Sequence, residues 1–376
     1  ENISKRICAL LLAATITLSI FSGCNKTEEA TKDQPSNNTP TNTTQTNQTT
    51  EEATPDGWVK VTNIDGPVLG YMPESGVSIL TVDGKAFKDL NKNGELDTYE
   101  DWCLTVDERA QALAKEMTVE EIAGLMLYSV HSAIESPELT DVQRTFLTDD
   151  NVRAVLVTKV SSKTDAAKWN NNAQALVESS RLGIPINSSS DPRNSAGAGE
   201  AYSSGAGEIS MWPSNLGMAA TFNPELMKEF GYIASKEYRA LGIGTALSPQ
   251  IDLATEPRWL RANGTFGEDT QLAIDMTKAY ADGFQTTQGE ENGWGYDSVN
   301  AMIKHWPGDG TGENGRESHL YSGKYAVYPG DNFEEHIRPF VEGGLQLEGP
   351  TGAATAVMSS YSIAYDENNK YGDPVG

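Results

Sequence analysis

Val299-Asn300-Ala301-Met302-Ile303-Lys304-His305-Trp306-Pro307-Gly308-Asp309-Gly310 decides the fold. The first half is short and mostly apolar, as a buried strand is. A cation, an imidazole and an indole then follow side by side, and Pro307 and Gly308 break the backbone at once. A strand that ends in polar groups and a turn is how a βα barrel builds its working face.

The segments around this stretch alternate in period. Thr105 to Tyr128 predicts a helix, with Thr105 and Glu108 as a capping box and a break at Met117-Thr118 where a second cap starts. Val152 to Val160 is a β-branched strand and Asp165 to Ser180 a helix. Gly183 to Asn187 predicts the next strand, running out at Ser188-Ser189-Ser190-Asp191. A helix over Pro224 to Leu241, a strand over Gly244 to Leu253 and a helix over Thr270 to Gln285 lead into the Lys304 strand. Asn332 to Leu345 reads as a helix and Ala354 to Tyr361 as a strand. Alternation of this kind implies α/β architecture with a parallel sheet. No Gly-x-Gly-x-x-Gly follows the first strand, which argues against a dinucleotide fold. The expectation is a (β/α)8 TIM-type barrel, incomplete at its C-terminal end because the strand count falls short of eight.

Ahead of the barrel, Asp89-Leu90-Asn91-Lys92-Asn93-Gly94-Glu95-Leu96-Asp97-Thr98-Tyr99-Glu100 fits D-x-[DN]-x-[DN]-G-x5-E, an EF-hand-like loop. Asp89, Asn91, Asn93 and Asp97 offer side-chain oxygens, Glu95 its carbonyl, and Glu100 a bidentate carboxylate; Gly94 permits the sharp turn. The motif predicts structural Ca2+; the alternative is an acidic turn that binds nothing. No second loop pairs with it.

The chain opens with a basic pair, Lys5 and Arg6, then an apolar run from Ile7 to Phe21, too short to span a bilayer as a mature helix. Ser22, Gly23 and Cys24 follow. This resembles a bacterial lipoprotein signal over residues 1–24, with Cys24 as the lipidated residue; plain secretion is the alternative. Residues 25–56 are Thr, Asn, Gln and Glu with few large apolar groups, a composition that reads as a disordered linker. Residues 57–104 form an N-terminal segment holding the calcium-type loop, and 105–376 the barrel domain. The localisation expected is the bacterial cell envelope, outside the cytoplasmic membrane, with the membrane engaged through the lipid anchor only.

The 376 residues carry a net charge of −25. Phosphate binding needs clustered Lys and Arg, so nucleic acid is not the expected partner. Of the three cysteines only Cys103 belongs to the globular part, which excludes an internal disulfide there.

Four strand ends collect chemistry: Asp191-Pro192-Arg193; Ser248-Pro249-Gln250-Ile251-Asp252 running through Glu256-Pro257-Arg258-Trp259-Leu260-Arg261 to Gly264-Thr265-Phe266-Gly267-Glu268-Asp269; Lys304-His305-Trp306; and Met358-Ser359-Ser360-Tyr361. Acceptors, cationic donors and flat aromatics together suit sugar hydroxyls and ring faces. These motifs resemble, in the same order, those of glycoside hydrolase family 3, the β-glucosidase family. Met117-Thr118-Val119-Glu120-Glu121 is similar to its opening segment. The resemblance runs from about Lys88 to the end. Leu260 and Gly264 depart from it, standing where many members have Gly and Glu.

The resemblance implies hydrolysis of terminal non-reducing β-D-glucosyl residues by a retaining mechanism, with a β-glucoside or oligosaccharide as partner and no cofactor for catalysis. It implies that Asp191, Arg261, Lys304, His305 and Tyr361 line the glucose subsite. It places the nucleophile after Gly376, leaving no catalytic carboxylate within this chain and the fragment alone inactive. β-Xylosidase and β-N-acetylhexosaminidase are alternatives within the family. The second places Asp-Ser-His soon after Lys-His, where this chain has Glu317-Ser318-His319 at a longer spacing. A calcium-dependent surface carbohydrate-binding protein is the alternative of another class.

Overall fold

A computed structural model describes residues 49–129, 132–160, 162–191 and 209–365. The leader, Cys24 and the linker as far as residue 48 lie outside the described residues, as do Pro192 and Arg193.

Five short strands come first: β1 (Thr50–Ala53), β2 (Val59–Thr62), β3 (Val68–Tyr71), β4 (Ser78–Val82) and β5 (Lys85–Asp89). β1–β3 make an antiparallel sheet and β4–β5 a hairpin. The linker expected over residues 25–56 therefore ends in a strand, because Thr50–Ala53 pairs residue for residue with β2. All four of its side chains are exposed, so pairing with β2 rather than burial orders it, and composition does not register it.

The loop after β5 is closed by its own backbone. Asp89 accepts from the amides of Asn93 and Gly94, each at 3.0 Å. Glu100 accepts from Leu90 at 2.7 Å and from Asp97 at 3.1 Å. Asp97 takes the side-chain amides of Asn91 and Asn93 at 2.6 and 2.7 Å. Among the described residues no three His, Cys, Asp or Glu side chains gather as a metal-holding group. Lys92 docks the loop: its Nζ donates to the carbonyls of Glu178 and Ser180 at 2.8 and 2.6 Å. Those carbonyls belong to the C-terminal end of a helix, where a cation is favoured.

Helices α1 (Val106–Glu116) and α2 (Val119–Leu125) follow, each started by a complete capping box, Thr105 with Glu108 and Thr118 with Glu121. The break expected at Met117-Thr118 is where the chain turns. Next come β6 (Ser132–Ile134) and α3 (Asp141–Thr148), which lie outside the segments whose periodicity predicts an element. β7 (Ala154–Val160), α4 (Lys163–Glu178) and β8 (Asn187–Ser190) continue the alternation. β8 starts at Asn187 rather than Gly183. Gly183 is left-handed at φ 58° and Pro185 has no N–H for a ladder.

The chain then forms α5 (Asn215–Ala219), α6 (Pro224–Ala240), β9 (Thr245–Ala246), α7 (Thr270–Gln285) and β10 (Asn300–Trp306). It ends with β11 (Tyr325–Val327), α8 (Phe333–Arg338), β12 (Ala356–Ser359) and β13 (Ile363–Tyr365). The helix expected over Asn332 to Leu345 divides: α8 gives way to a wider π turn over Pro339–Gly344.

The central sheet has six strands in the order β12-β10-β9-β8-β7-β6, all parallel. Its two end strands, β6 and β12, are not paired with each other among the described residues. α6 and α7 cover one side so closely that Gly231 and Gly283 interlock. A Cβ on Gly283 would stand 2.4 Å from the Lys228 carbonyl. Phe284 stacks on Tyr280 at 4.8 Å between ring centroids, and Tyr238 meets Phe284 edge-on at 5.8 Å. Gln285 is fully buried and ties β12 to β10. Its amide donates to the Ala353 carbonyl at 2.9 Å, and its oxygen accepts from the amides of Ala301 and Thr355 at 3.2 and 3.0 Å.

Candidate functional site

Parallel strands present their C-terminal ends on one side of the sheet, and there the expected residues collect. β10 buries Ala301 and Ile303 with Met302 partly covered between them, then sets Lys304 and His305 at its end, 3% and 6% exposed. Asp191 follows β8 and forms an ion pair with Lys304 Nζ. A lysine that deeply buried needs a partner of this kind. Arg261 comes from the loop after β9, and one of its terminal nitrogens donates to His305 Nε2 at 3.3 Å. Tyr361 follows β12 at the rim, 71% exposed, and meets the His319 ring edge-on at 5.0 Å. The sheet thus brings Asp191, Lys304, His305 and Arg261 into direct contact, while Tyr361 joins them only through intermediaries.

The intermediaries and supports lie within stretches that the sequence singles out but outside the residues expected to line the glucose subsite. Asp252, fully buried, accepts the His305 amide at 3.0 Å and lies 2.9 Å from His305 Nδ1. With Arg261 donating to Nε2, Nδ1 carries the ring proton and donates it to Asp252. Burial works against the Asp252 charge, but the adjoining His305 and the amides of His305 and Asp309 outweigh it, and its pKa lies below the usual carboxylate range. Gln250 accepts from Arg261 at 3.2 Å. Glu317 stands 3.6 Å from the other terminal nitrogen of Arg261 and accepts from Trp259 Nε1 at 2.7 Å. His319 Nδ1 lies 2.5 Å from Glu317. Burial raises the Glu317 pKa, and its bond to His319 and the Arg261 charge bring it below the ordinary value.

The arrangement has a definite chemical character. A buried lysine and an arginine present donors, and Asp191 and the Nε2 of His305 present acceptors. Trp306 stands beside them, 37% exposed and edge-on to Phe340 at 5.3 Å. This suits a neutral polyhydroxylated ligand better than an anion, because the cations already face carboxylates. The polar spacing after β9 could have exposed Asp252 as a support. Glu317 lies 56 residues past Arg261 in sequence, and no local signal links them.

The model of the glycosyl hydrolase family 3 N terminal domain matches residues 111–361. A periplasmic beta-glucosidase/beta-xylosidase of Dickeya chrysanthemi is 41% identical over 297 residues, 77% of this chain and 44% of that protein. Beta-glucosidase C of Emericella nidulans is 37% identical over 284 residues, 73% of this chain and 43% of that protein. The chain thus spans less than half the length of these relatives. Among solved structures, the β-glucosidase EmGH1 of Erythrobacter marinus aligns with a TM-score of 0.54 at 22% identity, covering 72% of this chain and 34% of that one. A family 3 beta-N-acetylglucosaminidase from Paenibacillus aligns with a TM-score of 0.52 at 21% identity, over 67% of this chain and 43% of that one. At these identities the structural likeness speaks for the fold.

Proposed function

The chain belongs to glycoside hydrolase family 3, and on that premise we propose that it is part of an enzyme that removes terminal non-reducing β-D-glucosyl residues with retention. The contact of Lys304 with Asp191, beside His305 and Arg261, carries the reading. In this account Asp191, Arg261, Lys304, His305 and Tyr361 grip the hydroxyls of the sugar at the cleavage site. Retaining cleavage uses two carboxylates about 5–5.5 Å apart. Asp191 faces Lys304 and Asp252 is enclosed beneath His305, so neither is assigned as nucleophile, and the reading gives that role to no residue of this chain. The leader supports Cys24 as a lipid anchor, and the net charge of −25 and the periplasmic relative support a place outside the cytoplasmic membrane.

A xyloside would use the same hydroxyl contacts, and one relative is named for both activities. The bond between His319 and Glu317 favours a second reading, in which the pair serves a β-N-acetylhexosaminide. Glu317 also holds Arg261 and Trp259, which supports an orienting role instead. In the full-length protein carrying this chain, Lys304→Ala and His305→Ala should each cost on the order of 2–4 kcal/mol in kcat/KM on an aryl β-glucoside, with folding intact. Near wild-type rates for both would refute the assignment. Faster turnover of an aryl N-acetyl-β-glucosaminide than of the glucoside would favour the second reading.

A further inference from the structure

Asp309 lies beneath the site, 2% exposed. Its Oδ2 accepts from Ser318 Oγ at 2.6 Å and its Oδ1 from Ser360 Oγ at 2.9 Å. Its own amide donates at 2.6 Å to Asp252, the carboxylate that also holds His305. Each hydroxyl sits at a telling place. Ser318 lies between Glu317 and His319, and Ser360 directly precedes Tyr361. Apart from Asp309, the Ser360 turn is tied by its amide to the Trp306 carbonyl at 2.8 Å and by its hydroxyl to the Ser362 amide at 2.9 Å.

An acidic residue is an unfavourable choice for this position if packing is all it provides. Burial, and then the Asp252 charge beside it, raise the Asp309 pKa, so the ionised form costs stability. The carboxylate does, however, offer an acceptor to each of two hydroxyls that approach from different segments of the chain, and an apolar side chain offers neither.

We infer that Asp309 is a positioning residue: its two oxygens fasten the Glu317–His319 loop and the Tyr361 turn to the end of β10, and so set the shape of the rim around Lys304 and His305. The inference rests on the reading of that rim as a sugar subsite. Loss of the carboxylate would free Ser318 and Ser360 together. Glu317 would then hold Arg261 less firmly, and His319 would separate from Tyr361.

The test compares the wild-type chain with Asp309→Asn, Asp309→Ala, the double variant Ser318→Ala/Ser360→Ala and Lys304→Ala. Affinity for D-glucose is read by calorimetry, amide hydrogen exchange by mass spectrometry, and stability by melting. Asp309→Ala and the double serine variant should weaken glucose about tenfold. Both should speed exchange over residues 317–320 and 360–362 while leaving β10 protected. Asp309→Asn keeps one acceptor and should recover part of the affinity while melting no lower than the wild type, a combination that a merely structural role would not give. Unchanged exchange in both segments would overturn the inference, as would a fall in melting temperature for Asp309→Asn with no change in affinity. If Lys304→Ala binds glucose as tightly as the wild type, the subsite reading fails. The exchange data then still uphold the fastening by acceleration or refute it by constancy.

Discussion

His336 shows what burial does to a single group. It is fully buried behind Gly308, with Nε2 3.3 Å from Thr255 Oγ1 and no hydrogen-bond partner for Nδ1 among the described residues. Burial depresses its pKa from 6.5 to about 4, against the pull of Asp252 and Glu335. Between those two values the unfolded chain binds a proton that the folded one refuses, so His336 stability is intact above pH 6.5 and is lost as pH falls toward 4. The whole window is worth roughly 3 kcal/mol. His336→Gln keeps a partner for Thr255 and cannot titrate, so its urea midpoint should fall less than that of the wild type between pH 7 and pH 4.5. Parallel losses in the two proteins would show that His336 takes up its proton within the fold. Asp309 shifts the other way and is common to both, so it leaves the comparison intact. At this scale the sequence was legible where chemistry is local. Lys304-His305 at the end of an apolar run announced a strand end. Asp252, 53 positions from His305, and Ser360, 51 from Asp309, did not announce themselves as partners.

Among the elements, the α6–α7 contact and the calcium-type loop make separate claims. Gly283 lets α7 approach α6 to backbone distance; Gly283→Ala would place a Cβ 2.4 Å from the Lys228 carbonyl and 2.9 Å from the Gly231 Cα. The helices must part, and a loss on the order of 2–3 kcal/mol in unfolding free energy is expected. A midpoint matching the wild type would mean that the pair is looser than its geometry. The loop over Asp89 to Glu100 was legible as a turn, and its binding of Ca2+ stays a proposal. If calcium binds, the melting temperature rises with calcium over chelator, and Glu100→Gln removes the difference. Identical melts would leave the loop as a turn held by its own hydrogen bonds. Capping boxes were the most legible boundary signals, since Thr105 and Thr118 each act within one helical turn. β1 and β6 escaped notice because strands this short take their order from pairing partners rather than from their own composition.

For the molecule as a whole, alternation of period gave the parallel sheet, and the sheet put the ends of β8, β9, β10 and β12 on one side. That placement turns four separate motifs into one site, and spacing alone could not have shown which residues touch. The central claim is that this rim holds the terminal sugar. A crystal structure of the protein with D-glucose tests it most directly. The account predicts one glucose at the C-terminal ends of these strands, with hydroxyls within about 3.2 Å of Lys304, His305, Arg261 and Asp191. Glucose bound elsewhere on the protein, with those four side chains still closed on one another, would contradict it.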